Sequence, residues 1–188
     1  GVGGREEPAA TDDYRGDDGD SGGGSTQTSL KGGGSFVDGD GSTGINVDTT
    51  ENARTPHATP FDSYLYVGWS EESGNDFRIV VKKYDGSVFE DVSDDISRGL
   101  GDTFTPKLIE FDSKLYAMWS EDLSGLKKVF VSSFDGSNWT AVDSTDDSGL
   151  NYSSSENAEA PDATPFDSDL YVGWSEESGN DFRIVVKK

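Results

Sequence analysis

The stretch Phe61–Ser87, FDSYLYVGWSEESGNDFRIVVKKYDGS, decides how the chain folds. Its apolar residues alternate with a period of two rather than 3.6. Leu65, Val67 and Trp69 share one face of a strand, and Tyr66 and Gly68 share the other. After SEESGND comes a second strand, with Phe77, Ile79 and Val81 on one face and Arg78, Val80 and Lys82 on the other. Asp85-Gly86 then supplies the positive φ that a tight hairpin needs, and a short strand follows around Val88-Phe89. Upstream, TPHATPF reads as a short first strand. The unit is four short antiparallel strands, with no helix signal.

The unit recurs. FDSKLYAMWSE begins at Phe111 and FDSDLYVGWSE at Phe166, so successive copies are spaced 50 and 55 residues apart. Thr59–Lys83 and Thr164–Lys188 are nearly identical, and a proline precedes each Phe at Pro56, Pro106 and Pro161. Repeats this short bury their faces by stacking on neighbours. The expected fold is therefore all-β: β-propeller-type four-stranded antiparallel blades over residues 35–188, with units beginning near 55, 105 and 160. SFVDGDGSTGIN at Ser35–Asn46 matches NWTAVDSTDDSGLN at Asn138–Asn151. It reads as the outer strand of a preceding or ring-closing blade. About three blades are too few for a propeller, which has 4–8. Either the chain belongs to a longer array, or two chains combine into a six-bladed ring.

Composition narrows the function. Hydrophobic residues are 31% of the 188, against a usual ~45–50%. Residues 1–34 are rich in Gly and Asp and are expected to form a disordered tail or linker. Acids outnumber bases 37 to 15, a formal net charge of −22, which argues against nucleic acid as a partner. No apolar run approaches the ~18 residues of a membrane span, so membrane insertion is not expected. There is no cysteine, and His57 is the single histidine. Thiol chemistry and His-cluster metal sites are thereby excluded. The loops between blades and between second and third strands hold 22 acids and two bases, Arg54 and Arg98, a net −20. In a propeller these loops share one face.

LYVGWSE, RIVVKKYDGS and FDGSNWT together resemble a bacterial and archaeal β-propeller repeat. FDGSNWT is also similar to a shortened sialidase Asp-box, lacking the residue between Asp135 and Gly136. The resemblance implies a propeller and leaves activity open, because propellers host lectins, hydrolases and scaffolds alike.

Several residues are candidates for chemistry. Glu71, Glu121 and Glu176 follow the tryptophans at the strand end. They read either as a recurring carboxylate ring for ligand or metal, or as strand caps paired with Arg78, Lys128 and Arg183. Asp38-Gly-Asp40-Gly-Ser42 alternates oxygen side chains in the style of a Ca²⁺ loop, without the EF-hand glycine and terminal glutamate. Calcium is the one cofactor the sequence suggests. Trp69, Trp119 and Trp174 share the phase of Leu65, Leu115 and Leu170, so core packing is expected of them rather than sugar stacking. Asp62, Asp112 and Asp167 open turns. Asn138-Trp-Thr140 and Asn151-Tyr-Ser153 are glycosylation sequons.

Glycoside hydrolysis needs two carboxylates in distinct environments, whereas these carboxylates recur in near-identical copies. The expectation is therefore no enzyme, but a non-catalytic extracellular or cell-surface repeat protein acting in binding, adhesion or assembly. Its partners would be other copies of itself, other surface proteins, or glycans. One alternative is a carbohydrate-binding lectin with pockets between blades; a second is a glycosidase-like enzyme.

Overall fold

Alternating sequence becomes three antiparallel sheets in the computed structural model, which describes residues 44–94, 96–99, 101–143 and 148–188. Blade 1 is β1 (Ala53–Phe61), β2 (Tyr64–Ser73), β3 (Asp76–Tyr84) and β4 (Phe89–Asp91), side by side in that order. Blade 2 repeats it with β5 (Thr103–Phe111), β6 (Lys114–Leu123), β7 (Leu126–Phe134) and β8 (Trp139–Ala141). Blade 3 has β9 (Ala158–Phe166), β10 (Asp169–Ser178) and β11 (Asp181–Lys187). The all-β, blade-built expectation holds. The tail expected over residues 1–34, residues 35–43 of the strand expected over 35–46, and Asp38, Asp40 and Ser42 lie outside the described residues; residues 44–46 are described and are not in a strand.

Turn chemistry sets the registers. Asp62 and Ser63 both take positive φ, 45° and 67°, as do Asp112 and Ser113, 48° and 58°. Two successive left-handed residues make the hairpin twist match that of the strands, and Asp tolerates this region better than most side chains. In the DGS turns the Asp85 carboxylate accepts the backbone N–H groups of Ser87 and Val88 at 2.8 and 2.9 Å. Asp135 does the same for Ser137 and Asn138.

The first strands begin earlier than the sequence suggests, at Ala53, Thr103 and Ala158, because pairing continues upstream of each proline. Thr55, Thr105 and Ala160 stand immediately before those prolines with φ of 54°, 46° and 52°. The pairing skips from Arg54 to His57 and from Phe104 to Lys107. Proline cannot donate to the ladder, so the chain bulges there and resumes.

Each blade has a tryptophan face (Trp69 in blade 1) and a tyrosine face (Tyr66). Phe61, Tyr66, Ile79 and Val81 of blade 1 share one core with Leu115, Ala117, Trp119 and Phe130 of blade 2. Met118, Val129 and Val131 of blade 2 share another with Val172 and Trp174 of blade 3. The tyrosine face of one blade thus packs on the tryptophan face of the next. All three tryptophans are buried, as their strand phase predicts. Side-chain sizes match across the two contacts. In the first, a Cβ on Gly68 would stand 3.2 Å from the Leu108 side chain. In the second, Met118 takes the glycine's place and Ala163 the leucine's, within one cluster.

Candidate functional site

The carboxylates that the sequence singles out are structural ties. The indole N–H of Trp69 donates to Glu71 at 2.7 Å, that of Trp119 to Glu121 at 2.9 Å and that of Trp174 to Glu176 at 2.8 Å. All three glutamates are buried. Each also accepts backbone N–H groups from the loop entering its blade. Val47 and Asp48 donate to Glu71 at 3.0 and 2.8 Å, Arg98 to Glu121 at 3.3 Å, and Tyr152 and Ser153 to Glu176 at 2.8 Å each. Indole and loop thus converge on one carboxylate in every repeat. A ligand could reach these oxygens only by displacing the loop.

The three expected cations differ. Arg183 pairs with Glu176 at 3.0 Å. Lys128 is buried and donates to the Ser154 carbonyl, and burial lowers its pKa. Arg78 is exposed. Arg98 forms an ion pair with Asp143, whose side chain is fully buried and also accepts the Val131 N–H at 3.2 Å. Burial pushes the Asp143 pKa up to about 6, against the pull of Arg98. Asn151 is not free to carry a glycan: its amide accepts from Val129 and donates to the carbonyls of Lys127 and Glu156. Among the described residues, no three His, Asp or Glu side chains come together in a way that could hold a metal ion.

A further set of ties was missed from sequence. Asn52, Asp102 and Asn157 directly precede the first strands. Asp102 accepts the Phe77 N–H, and Asn157 the Lys127 N–H, each at 2.8 Å. Asp102 and Asn157 thereby join β3 and β7 to the next blade, whereas Asn52 donates to Glu72 at 2.6 Å within blade 1. Their shared spacing with the tryptophans was the available signal.

A second cluster lies where the repeats stop agreeing. Residues 51–83 and 156–188 are identical except at four positions: Arg54/Glu159, Thr55/Ala160, His57/Asp162 and Tyr64/Asp169. Three of the four fall within four residues, on the first strands β1 and β9. Blade 2 places Phe104, Thr105 and Lys107 there. These strands stand next to one another, and their varied side chains meet. The Arg54 guanidinium lies 3.5 Å from the Phe77 ring centre and 5.0 Å from that of Phe104. Lys127 Nζ approaches Phe104 from 4.9 Å and pairs with Glu159 at 2.9 Å. Cations near an aromatic face are held by its quadrupole, so this row is ordered across all three blades. His57 Nδ1 accepts the Leu108 N–H of the next first strand at 3.2 Å, which requires an unprotonated ring. Burial, with the charge of Lys107, lowers its pKa, and Asp162 opposes them. Two carboxylates therefore stand on β9 in unlike settings. Glu159 is ion-paired; Asp162 is exposed and accepts the Ala163 N–H at 2.8 Å.

No family model matches the chain, and no curated protein matches it. Solved structures do. A family 117 glycoside hydrolase of the marine bacterium Zobellia galactanivorans is similar at 13% identity and a TM-score of 0.50, over 86% of this chain and 56% of that one. The GH43_1 enzyme of Xanthomonas citri, solved with xylose, is 17% identical with a TM-score of 0.47, over 65% of this chain and 40% of that one. The arabinanase of Bacillus subtilis is 13% identical with a TM-score of 0.44, over 65% and 49%. The chain spans about half the length of such structures. At 13% identity the likeness to the family 117 structure shows the fold alone, a propeller type, in agreement with the three stacked antiparallel sheets.

The expectation that the chain is not an enzyme is corrected: the family 117 structure that it resembles over 86% of its length is a glycoside hydrolase. Its premise also fails on the structure. The recurring carboxylates are internal ties, whereas Glu159 and Asp162 occur in one repeat only and do occupy distinct environments.

Proposed function

We propose that the chain contributes three blades to a carbohydrate-directed propeller of the glycosidase type, with its ligand site along the first strands. The observation that supports this reading is the divergence of near-identical repeats at Arg54/Glu159 and His57/Asp162. Where two copies agree almost everywhere, three of the four positions that differ lie together on the first strands, and none of those side chains is buried. The residues placed there suit a polyhydroxylated ligand: Arg54 and Lys127 as donors, Glu159 and Asp162 as acceptors, and Phe104 as an apolar surface between them. For bond cleavage, one carboxylic acid must protonate the leaving oxygen while a second carboxylate activates water or attacks the sugar. Glu159 and Asp162 are the pair proposed for these roles.

The test is turnover of a panel of xylo-, arabino- and β-manno-oligosaccharides by the full chain, beside Glu159→Gln and Asp162→Asn. Both side chains are at least partly open, so the variants should keep their unfolding midpoints and lose more than a hundredfold in rate. Turnover indifferent to both substitutions would overturn the assignment. Binding without turnover would move the reading to the lectin alternative.

A further inference from the structure

Leu108 on β5 and Ala163 on β9 hold the same register position, opposite Ala117 and Val172 on the second strands. In each case a side chain takes the backbone N–H, and the two side chains differ. The Leu108 N–H donates across the blade boundary to His57 Nδ1 at 3.2 Å, and the Ala163 N–H donates to its own neighbour Asp162 at 2.8 Å. An acceptor is all that this position requires, and in blade 3 a carboxylate supplies it. Histidine brings something more. A neutral imidazole accepts at one nitrogen and donates at the other. Here Nδ1 is the acceptor, so the proton sits on Nε2. Among the described residues nothing accepts a hydrogen bond from that Nε2–H. The ring is half-buried, and the charged groups that act on it are Lys107 on β5 and Asp162 on β9. Both belong to the divergent row of first-strand residues.

We propose that His57 is a ligand-binding residue of the first-strand site, fixed in the Nε2–H tautomer by the Leu108 amide and presenting that N–H, as a neutral donor, to a hydroxyl or ether oxygen of a saccharide. The inference rests on the sugar-directed reading of that site and adds to it a donor and a pH limit. A proton on Nδ1 would set two N–H groups against each other across the 3.2 Å contact with Leu108. A protonated ring must therefore turn away and take Nε2 with it. Burial and the charge of Lys107 keep the pKa of the ring below the ordinary 6.5, and the charge of Asp162 opposes them. Binding should be intact at pH 7 and lost as pH falls through that lowered value.

His57 is the single histidine, so a long-range proton–nitrogen spectrum of the full chain reads its ring nitrogens without ambiguity. The expected pattern at pH 7 is the Nε2–H tautomer, with the ring titrating below 6.5. Binding is measured with the best-bound oligosaccharide of the panel. His57→Asn keeps an acceptor near the place of Nδ1 and loses the far donor. It should keep the unfolding midpoint, weaken binding about tenfold, the scale of one hydrogen bond, and abolish the acid loss of binding that accompanies titration of the ring. An Nδ1–H tautomer would overturn the proposal. Binding by the unsubstituted chain that stays constant while the ring titrates would overturn it too, whatever the stability of the variant. Unchanged affinity in His57→Asn, beside weakened affinity in Glu159→Gln and Asp162→Asn, would overturn it and leave the sugar reading standing. If no oligosaccharide binds the unsubstituted chain, both fall together.

Discussion

Trp119 shows what one residue carries. Its ring is stacked on Phe130 with centres 5.9 Å apart, and its N–H reaches Glu121. Trp119→Ala should cost about 3–5 kcal/mol of unfolding free energy, as other large core truncations do, read by chemical denaturation. Glu176 and Asp143 should impose opposite pH trends. Burial alone would raise the Glu176 pKa, but hydrogen bonds from Trp174, Tyr152, Ser153 and Arg183 hold it below its ordinary 4.5. Its contribution is therefore present above pH 4.5 and lost as pH falls through the lowered value. Asp143 is raised from 3.8 to about 6. Its contribution is present below pH 3.8 and lost as pH rises through 6. Glu176→Gln should flatten the acid limb of a stability–pH curve, and Asp143→Asn the limb between pH 4 and 7. A curve unchanged in either variant would contradict that residue's part. The tryptophan phase was legible in the alternation of LYVGW. The carboxylates' partners were not, because Val47 and Glu71 are 24 residues apart and periodicity carries no information at that range.

Between elements, complementarity of size explains why repeats that share a motif are not interchangeable. Gly68→Met should overpack against Leu108 and cost about 1–3 kcal/mol. Adding Leu108→Ala should recover most of it, because the pair then reproduces Met118 and Ala163. A double-mutant cycle reads this directly, and additive losses would contradict the matching. Strands and hairpins were visible from alternation and from Asp-Gly turns, but the bulges before Pro56, Pro106 and Pro161 were not. A proline inside a paired strand reads as a strand start, and only the register shows the pairing on its far side. The divergent first strands were equally open to view. Their meaning was not, because which side chains Arg54, His57, Glu159 and Asp162 face is set by the stacking of blades about 50 residues apart in sequence, beyond the reach of periodicity.

For the whole molecule, the acidic loop end is partly an internal matter. Glu71, Glu121, Glu176 and Asp143 are counted in the net −20 of those loops, yet they are buried with donors around them. The remaining acids repel one another over the ~8 Å screening length of physiological salt. The unfolding midpoint should rise with sodium chloride. A calcium response beyond matched ionic strength would be assigned to the Asp38, Asp40 and Ser42 loop, since the buried glutamates already have their partners. In the proposed function the shared residues build the propeller and the divergent first strands bind sugar. The most direct measurement is amide chemical-shift mapping of the full chain with the best-bound oligosaccharide of the panel. Shifts are expected to concentrate at residues 54–57, 104–107, 127 and 159–162. Shifts confined to the outer strands, or no shift with any oligosaccharide, would contradict the proposed function.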